Sequence, residues 1–163
     1  MKVFDNISGN LRAAIMTAVI VAGYTSFAYA QADRKYIRQG NREYSKGKFQ
    51  ESELLYRRAI DKNKSSADAV FNAGDALYKQ KKYDEAAKSF SDNYDMNEDS
   101  NKKAGSLYNL GNSLLMANKL QESIHAYKSS LKLDPGNMEA KYNLAYAQDL
   151  LFRQQQQQEQ KQK

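Results

Sequence analysis

Between residues 33 and 137 the apolar positions recur with the 3.6-residue period of a helix, in stretches of about thirteen residues broken near Gly47, Lys81 and Asn118. The pattern predicts amphipathic helices in antiparallel pairs. One frame occurs three times around a glycine: Tyr36-x-x-Gln39-Gly40-Asn41, Val70-x-x-Ala73-Gly74-Asp75 and Leu107-x-x-Leu110-Gly111-Asn112. The glycines lie 34 and then 37 residues apart. Downstream of each, the same kinds of residue return in register: Phe49, Tyr83 and Leu120, then Ser52, Ala86 and Ser123, then Tyr56, Phe90 and Tyr127, and last Ala59, Asn93 and Ser130.

This register has a packing logic. Small side chains at the glycine and Ser/Ala positions let two helix axes approach closely, and the aromatics fill the space beside them. One helical pair leaves an apolar face bare, so pairs must stack, and about three copies make the smallest stable array. The three extra residues before the third copy fall within Glu98 to Lys103, where a loop absorbs them or the next helix gains about one turn. After Pro135-Gly136-Asn137, with Asn137 as N-cap, Tyr142-Asn143-Leu144-Ala145-Tyr146-Ala147 restarts the first-helix pattern without a second helix. A capping helix over 138–153 is expected, followed by a glutamine-rich tail over 154–163 that reads as a solvated helical extension or a frayed end.

The three frames resemble the tetratricopeptide repeat, in which W-x2-L-G-x2-Y is followed by A-x3-F and then by A and P. The third copy, from Leu107 through Gly111 and Tyr127 to Pro135, is the nearest match. The first departs at Gln39, Glu43 and Lys64, and the second at Asn93 and Glu98; these departures are expected to weaken single packing sites without disturbing the register. The resemblance implies an all-α, right-handed α-solenoid with repeats at 33–66, 67–100 and 104–137.

Ahead of the array, Lys2 and Arg12 precede an apolar run from Ala13 to Gly23, and Ala28-Tyr29-Ala30 closes it with a small-x-small pattern. This reads as a secretory signal over 1–30, cleaved after Ala30, and the run falls short of the roughly 17–25 residues of a membrane span. Export to a periplasm is the expectation, with a membrane tether through an uncleaved signal as the alternative.

Composition narrows the chemistry. With no cysteine and one histidine in 163 residues, the chain has no disulfide framework, thiolate zinc site or cysteine nucleophile. His125 has no second imidazole or thiol to complete a ligand set or a triad. From Gly40 to Gly47-Lys48, six residues separate the glycines where a phosphate loop has four, and Phe49 stands in place of Ser/Thr. Carboxylates such as Asp84-Glu85 and Glu51 with Glu53 sit at helix starts and read as dipole partners. No enzymatic activity, cofactor, metal or small-molecule substrate is expected. The net charge of +6 alternates along the array: ten cations against five anions in 33–66, four against eight in 67–100, and five against two in 101–137. Nucleic acid wants one continuous basic stripe, so it is not an expected partner.

Binding remains, and the repeat resemblance implies where. First helices of successive units line the concave side, which assigns Arg34, Ile37, Arg38, Asn41 and Ser45, then Asp68, Phe71, Asn72, Asp75 and Lys79, to the groove. The third unit adds Tyr108, Asn109, Asn112 and Met116, and the cap adds Tyr142, Asn143 and Tyr146. Asparagine amides donate and accept at once, which suits the backbone of an extended peptide, and equally suits bonds that hold the repeat's own helices. Relatives that clamp a C-terminal carboxylate use Lys, Asn, Asn, Lys and Arg. Asn41 and Asn72 match the asparagines, but Ile37, Gly105 and Asn109 stand where the cations would be, which speaks against an adaptor of that kind. A signal, a few repeats and a helix running through Leu150-Leu151 into glutamines also resemble the exported repeat proteins of Bat-type aerotolerance operons. That resemblance implies an envelope scaffold working beside membrane proteins with von Willebrand A-type domains. The second expectation is a structural protein that self-assembles as a homo-oligomer.

Overall fold

The computed structural model describes residues 14–17 and 33–161. The signal and its cleavage after Ala30 lie outside the described residues, apart from one exposed helical turn at 14–17. The rest is helical: α1 (33–45), α2 (Phe49–Lys62), α3 (Ala67–Lys79), α4 (Tyr83–Met96), α5 (Ser100–Met116), α6 (Leu120–Leu133) and α7 (Met138–Lys161). From α2 onward each helix packs on the next, giving an α-solenoid of three helix pairs closed by α7.

The breaks seen in the sequence are three copies of one turn. Gly47, Lys81 and Asn118 adopt left-handed φ values of 75°, 62° and 60°. Around each, a backbone N–H reaches five residues back, Lys48 to Glu43, Lys82 to Leu77 and Lys119 to Leu114, which satisfies a carbonyl left open at the helix end. Only the first copy uses glycine. Lys81 therefore holds a conformation that disfavours a side chain by about 1–2 kcal/mol, a strain that asparagine at 118 tolerates better.

Inside each pair the glycine meets the aromatic sixteen residues on. A Cβ on Gly40 would stand 2.5 Å from the Tyr56 ring, one on Gly111 2.6 Å from Tyr127, and one on Gly74 2.9 Å from Phe90. These three rings are at most 2% exposed and anchor the core of their units. In the outer units the hydroxyl beside the ring is buried and paired: Ser52 donates to the Phe49 carbonyl and Ser123 to the Gly111 carbonyl, both at 2.9 Å.

Between the second and third units the extra residues lengthen a helix. α5 runs 17 residues, and its N-cap Asp99 accepts from the backbone N–H groups of Asn101 and Lys102. Asn137 caps α7, accepting from Ala140 N–H at 2.9 Å. α7 then runs unbroken for 24 residues through the glutamines, so the tail is the solvated helical extension, and the helix passes beyond the expected end at 153. Among the described residues no helix is long and apolar enough to cross a membrane.

Two expectations change. Asn93 does not weaken its site: it donates to the Ala67 carbonyl at 2.6 Å and accepts from Ser106 at 2.6 Å and Asn97 at 3.0 Å, a buried hub joining α3, α4 and α5. Ser130 does the same work one unit on, donating to Ala104 at 2.8 Å. Glu53 is no surface dipole partner either. It is 7% exposed and accepts from Arg57 at 2.7 Å, Gln80 at 2.8 Å and Lys82 at 3.2 Å, bonding the first unit to the second. Burial pushes its carboxyl up, but these three donors together outweigh that and hold it below the ordinary carboxylate value.

Candidate peptide groove

The asparagines expected in the groove form a repeated device. Asn41 Oδ1 accepts from the Tyr56 hydroxyl at 2.8 Å and from Asn72 Nδ2 at 3.3 Å. Two units along the array, Asn112 Oδ1 accepts from the Tyr127 hydroxyl at 2.7 Å and from Asn143 Nδ2 at 2.9 Å. Each asparagine thus ties its own second helix to the first helix of the following unit. Their amides hold the solenoid together and also line its inner face.

Three hollows follow that face. The largest, about 410 Å³, lies among α1, α3 and α5 and is lined by Ile37, Asn41, Asp68, Phe71, Asn72, Lys102 and Gly105, with Asn93 and Asn97 at its floor. Lys102 and Asp68 pair across its rim at 3.5 Å. A narrower hollow of about 130 Å³ is walled by Asn41, Tyr44, Tyr56, Asn72 and Asp75. The third, about 260 Å³, sits under the cap and is lined by Tyr78, Asn112, Leu115, Met116, Tyr142, Asn143 and Tyr146.

Of the residues assigned from sequence, Ile37, Asn41, Asp68, Phe71, Asn72, Asp75, Asn112, Met116, Tyr142, Asn143 and Tyr146 line these hollows, and Ser45 does not. Arg34, Arg38 and Lys79 are exposed and line none of the three, nor does Asn109. Tyr108 sets its ring against its own unit, tilted against Tyr127 with 6.2 Å between ring centres, while its hydroxyl donates to Glu139 of α7 at 3.2 Å. Phe71 serves two roles: it lines the largest hollow and packs edge-on against Phe90 at 5.4 Å. Sequence reasoning missed Tyr44, Tyr78 and Leu115. All three stand four residues after a repeat glycine, one helical turn on, and that threefold recurrence was the signal for them.

Electrostatics single out the narrow hollow. Burial pushes the Asp75 carboxyl up to about 6 against a smaller opposing pull from Lys79. Tyr44 is raised by burial and by Asp75, and Tyr56, raised by burial and then by Tyr44 and Asp75, goes to about 12. Both phenols are therefore neutral around pH 7. On the opposite side of the solenoid, α4 and α6 flank a cleft of about 440 Å³ with Leu107, Leu110 and Leu114 at its base and the exposed His125 at its edge.

A stacked array of helix pairs with a lined inner face is the architecture of a repeat interaction module. Family models described as tetratricopeptide repeat match residues 37–99 and 104–137, and the chain belongs to that family. No curated protein sequence matches it. Among solved structures it is similar to the first repeat domain of Spaghetti (RPAP3) bound to an HSP90 peptide, at 23% identity and TM-score 0.69, covering 74% of this chain and 94% of that one. The N-terminal domain of stress-induced protein-1 from C. elegans gives 18% identity and TM-score 0.69, covering 74% and 98%. The second repeat domain of human RPAP3, in complex with an HSP70 peptide, gives 24% identity and TM-score 0.66, covering 75% and 97%. At these identities the likeness establishes the fold.

Proposed function

We propose that the chain is an exported scaffold that holds an extended segment of a protein partner along the inner face of α1, α3, α5 and α7. The observation that carries this reading is the 410 Å³ hollow, where an apolar wall of Ile37 and Phe71 faces the amides of Asn41 and Asn72. Such a surface takes a peptide's side chains on one side and its backbone on the other. Two of the similar solved domains are described with HSP90 and HSP70 peptides, which supports a peptide occupant of some kind. With Ile37, Gly105 and Asn109 in place of cations, an acidic carboxyl terminus is not that occupant.

Gly105 gives a clean test. It lines the hollow, and a Cβ built there meets nothing within 4 Å, so the side chain of Gly105→Phe starts into the open groove. The wild-type chain, immobilised and presented with N-acetylated, C-amidated random dodecapeptides, should retain a subset that the variant releases. Equal retention by both would remove the groove from the proposal.

The Lys2-to-Ala30 pattern supports export, and the resemblance to Bat-type repeat proteins supports a place in an envelope stress or aerotolerance complex beside membrane proteins with von Willebrand A-type domains. The mass of the chain recovered from its own envelope fraction checks the first part: a start at Gln31 is expected, and a start at Met1 leaves the tethered form. Self-assembly is the second reading, favoured by the apolar stripe of Met138, Tyr142 and Phe152 on α7, each more than half exposed. Light scattering of a monomer at high concentration would exclude it.

A further inference from the structure

The bond that recurs in the outer units is missing from the middle one. Where Asn41 and Asn112 each receive a tyrosine hydroxyl, Asp75 faces Phe90, which has none to give. Where Asn72 and Asn143 donate to the asparagine before them, Asn109 makes no such bond to Asp75. Lys79, one turn along α3, stays beyond ion-pair distance. Among the described residues, the Asp75 carboxylate has no hydrogen-bond or ion-pair partner, although it is only partly open to solvent.

The surroundings of that carboxylate select for charge. Asn41 Oδ1 already accepts two hydrogen bonds, and the Tyr56 hydroxyl spends its proton on Asn41, which leaves the Tyr56 oxygen as an acceptor. The hollow thus offers the Asp75 carboxylate, the Tyr56 oxygen and the Tyr44 hydroxyl, with the rings of both tyrosines and the amides of Asn41 and Asn72 in its walls. Three acceptors and two rings within about 130 Å³ match a compact ammonium with three N–H donors better than a broad guanidinium fork. We propose that Asp75 seats a lysine side chain carried by the peptide in the groove. This rests on the peptide-holding reading above and states what that peptide must contain.

The titratable groups acting on Asp75 are Tyr44 from α1, Tyr56 from α2 and Lys79 on its own helix; α4 presents Phe90. The tyrosines keep their protons across the working range, so Asp75 alone sets the charge of the hollow between pH 5 and 8.

The test uses dodecapeptide libraries, N-acetylated and C-amidated, identical except for a fixed central lysine, arginine or norleucine, with a fourth that carries norleucine and a free amino terminus. The immobilised chain should retain the lysine library at least tenfold over norleucine and over the free amine, and more than arginine. Asp75→Asn should abolish the preference, so that the lysine and norleucine libraries are retained alike. In the wild-type chain, whatever the folding of that variant, the lysine preference should fall as the pH drops below about 6. Retention that Gly105→Phe abolishes but that shows no lysine preference overturns the role of Asp75 and leaves the groove standing. A preference for arginine or for the free amine also overturns it. No retention of any library overturns both.

Discussion

The outer units and the middle unit share a backbone register and differ in what locks it. In the first and third units a tyrosine hydroxyl, an asparagine and the next unit's asparagine close a chain of hydrogen bonds 2.7–3.3 Å long across three helices. The middle unit puts Phe90 and Asp75 at the same places and closes no such chain. It compensates from the other end, where Asn93 gathers α3, α4 and α5 and where Glu53 draws Gln80 and Lys82 toward the first unit. One repeat has moved its polar bonds away from the groove, leaving an uncommitted charge there. The lesson is that a repeat position that departs from its counterparts frees a polar group that they commit to the fold.

Glycine substitutions should separate the units most strongly. A methyl at Gly111 would lie 2.6 Å from two atoms of the Tyr127 ring, which is fully buried and tethered through its hydroxyl to Asn112. At Gly74 the nearest ring atom is 2.9 Å away, and Phe90 has no tether. Alanine gains about 1 kcal/mol of helix propensity over glycine, against about 1–3 kcal/mol or more of overpacking. Gly111→Ala should therefore destabilise by about 2 kcal/mol in urea titration, and Gly74→Ala by about 1 kcal/mol or less. Equal losses would mean that Phe90 is held as firmly as Tyr127.

Asp75 supplies the next largest effect. Its folded-state value, about 6, lies above the ordinary carboxylate value, so the fold disfavours the ionised form. Such a group contributes stability that is complete below about pH 4 and is lost as the pH rises through 6. Asp75→Asn should then stabilise the chain by about 1–2 kcal/mol at pH 7, once solvent screening of a partly open group is allowed for, and by nothing at pH 4. Urea midpoints at the two pH values check this. A gain that is the same at both would trace to the amide's own bonds and not to charge.

The fold was legible because its determinants are local and repeated. Gly40, Gly74 and Gly111, the aromatics sixteen residues on and the three turn positions each mark one packing event, and three copies in register leave little freedom. The site was legible only as a face. Which residues on that face meet depends on side-chain direction: Tyr108 leans back to Tyr127, while Tyr44 and Tyr78, one turn past the glycine, reach hollows assigned to other positions. Asn93 and Glu53 were misread for a related reason. A polar residue at a core position announces a departure from the pattern, but the partners that join it to other helices lie 13 to 29 residues away, on those helices or in the turn between them.

The smallest effect is the most direct probe of the hydrogen-bond chain itself. Tyr127→Phe removes one bond to Asn112, whose oxygen keeps the amide of Asn143, so no buried acceptor is left bare. The loss should be about 1 kcal/mol, the net worth of one intramolecular bond. The reverse exchange belongs in the middle unit: Phe90→Tyr on the Asp75→Asn background recreates there the pairing of Tyr56 with Asn41. It should add about 0.5–1 kcal/mol of stability to Asp75→Asn alone, read from urea midpoints at pH 7 as a coupling between the two sites. A loss instead of a gain would mean that the middle unit has no room for the hydroxyl, and that its phenylalanine was set by packing before the aspartate was set by charge.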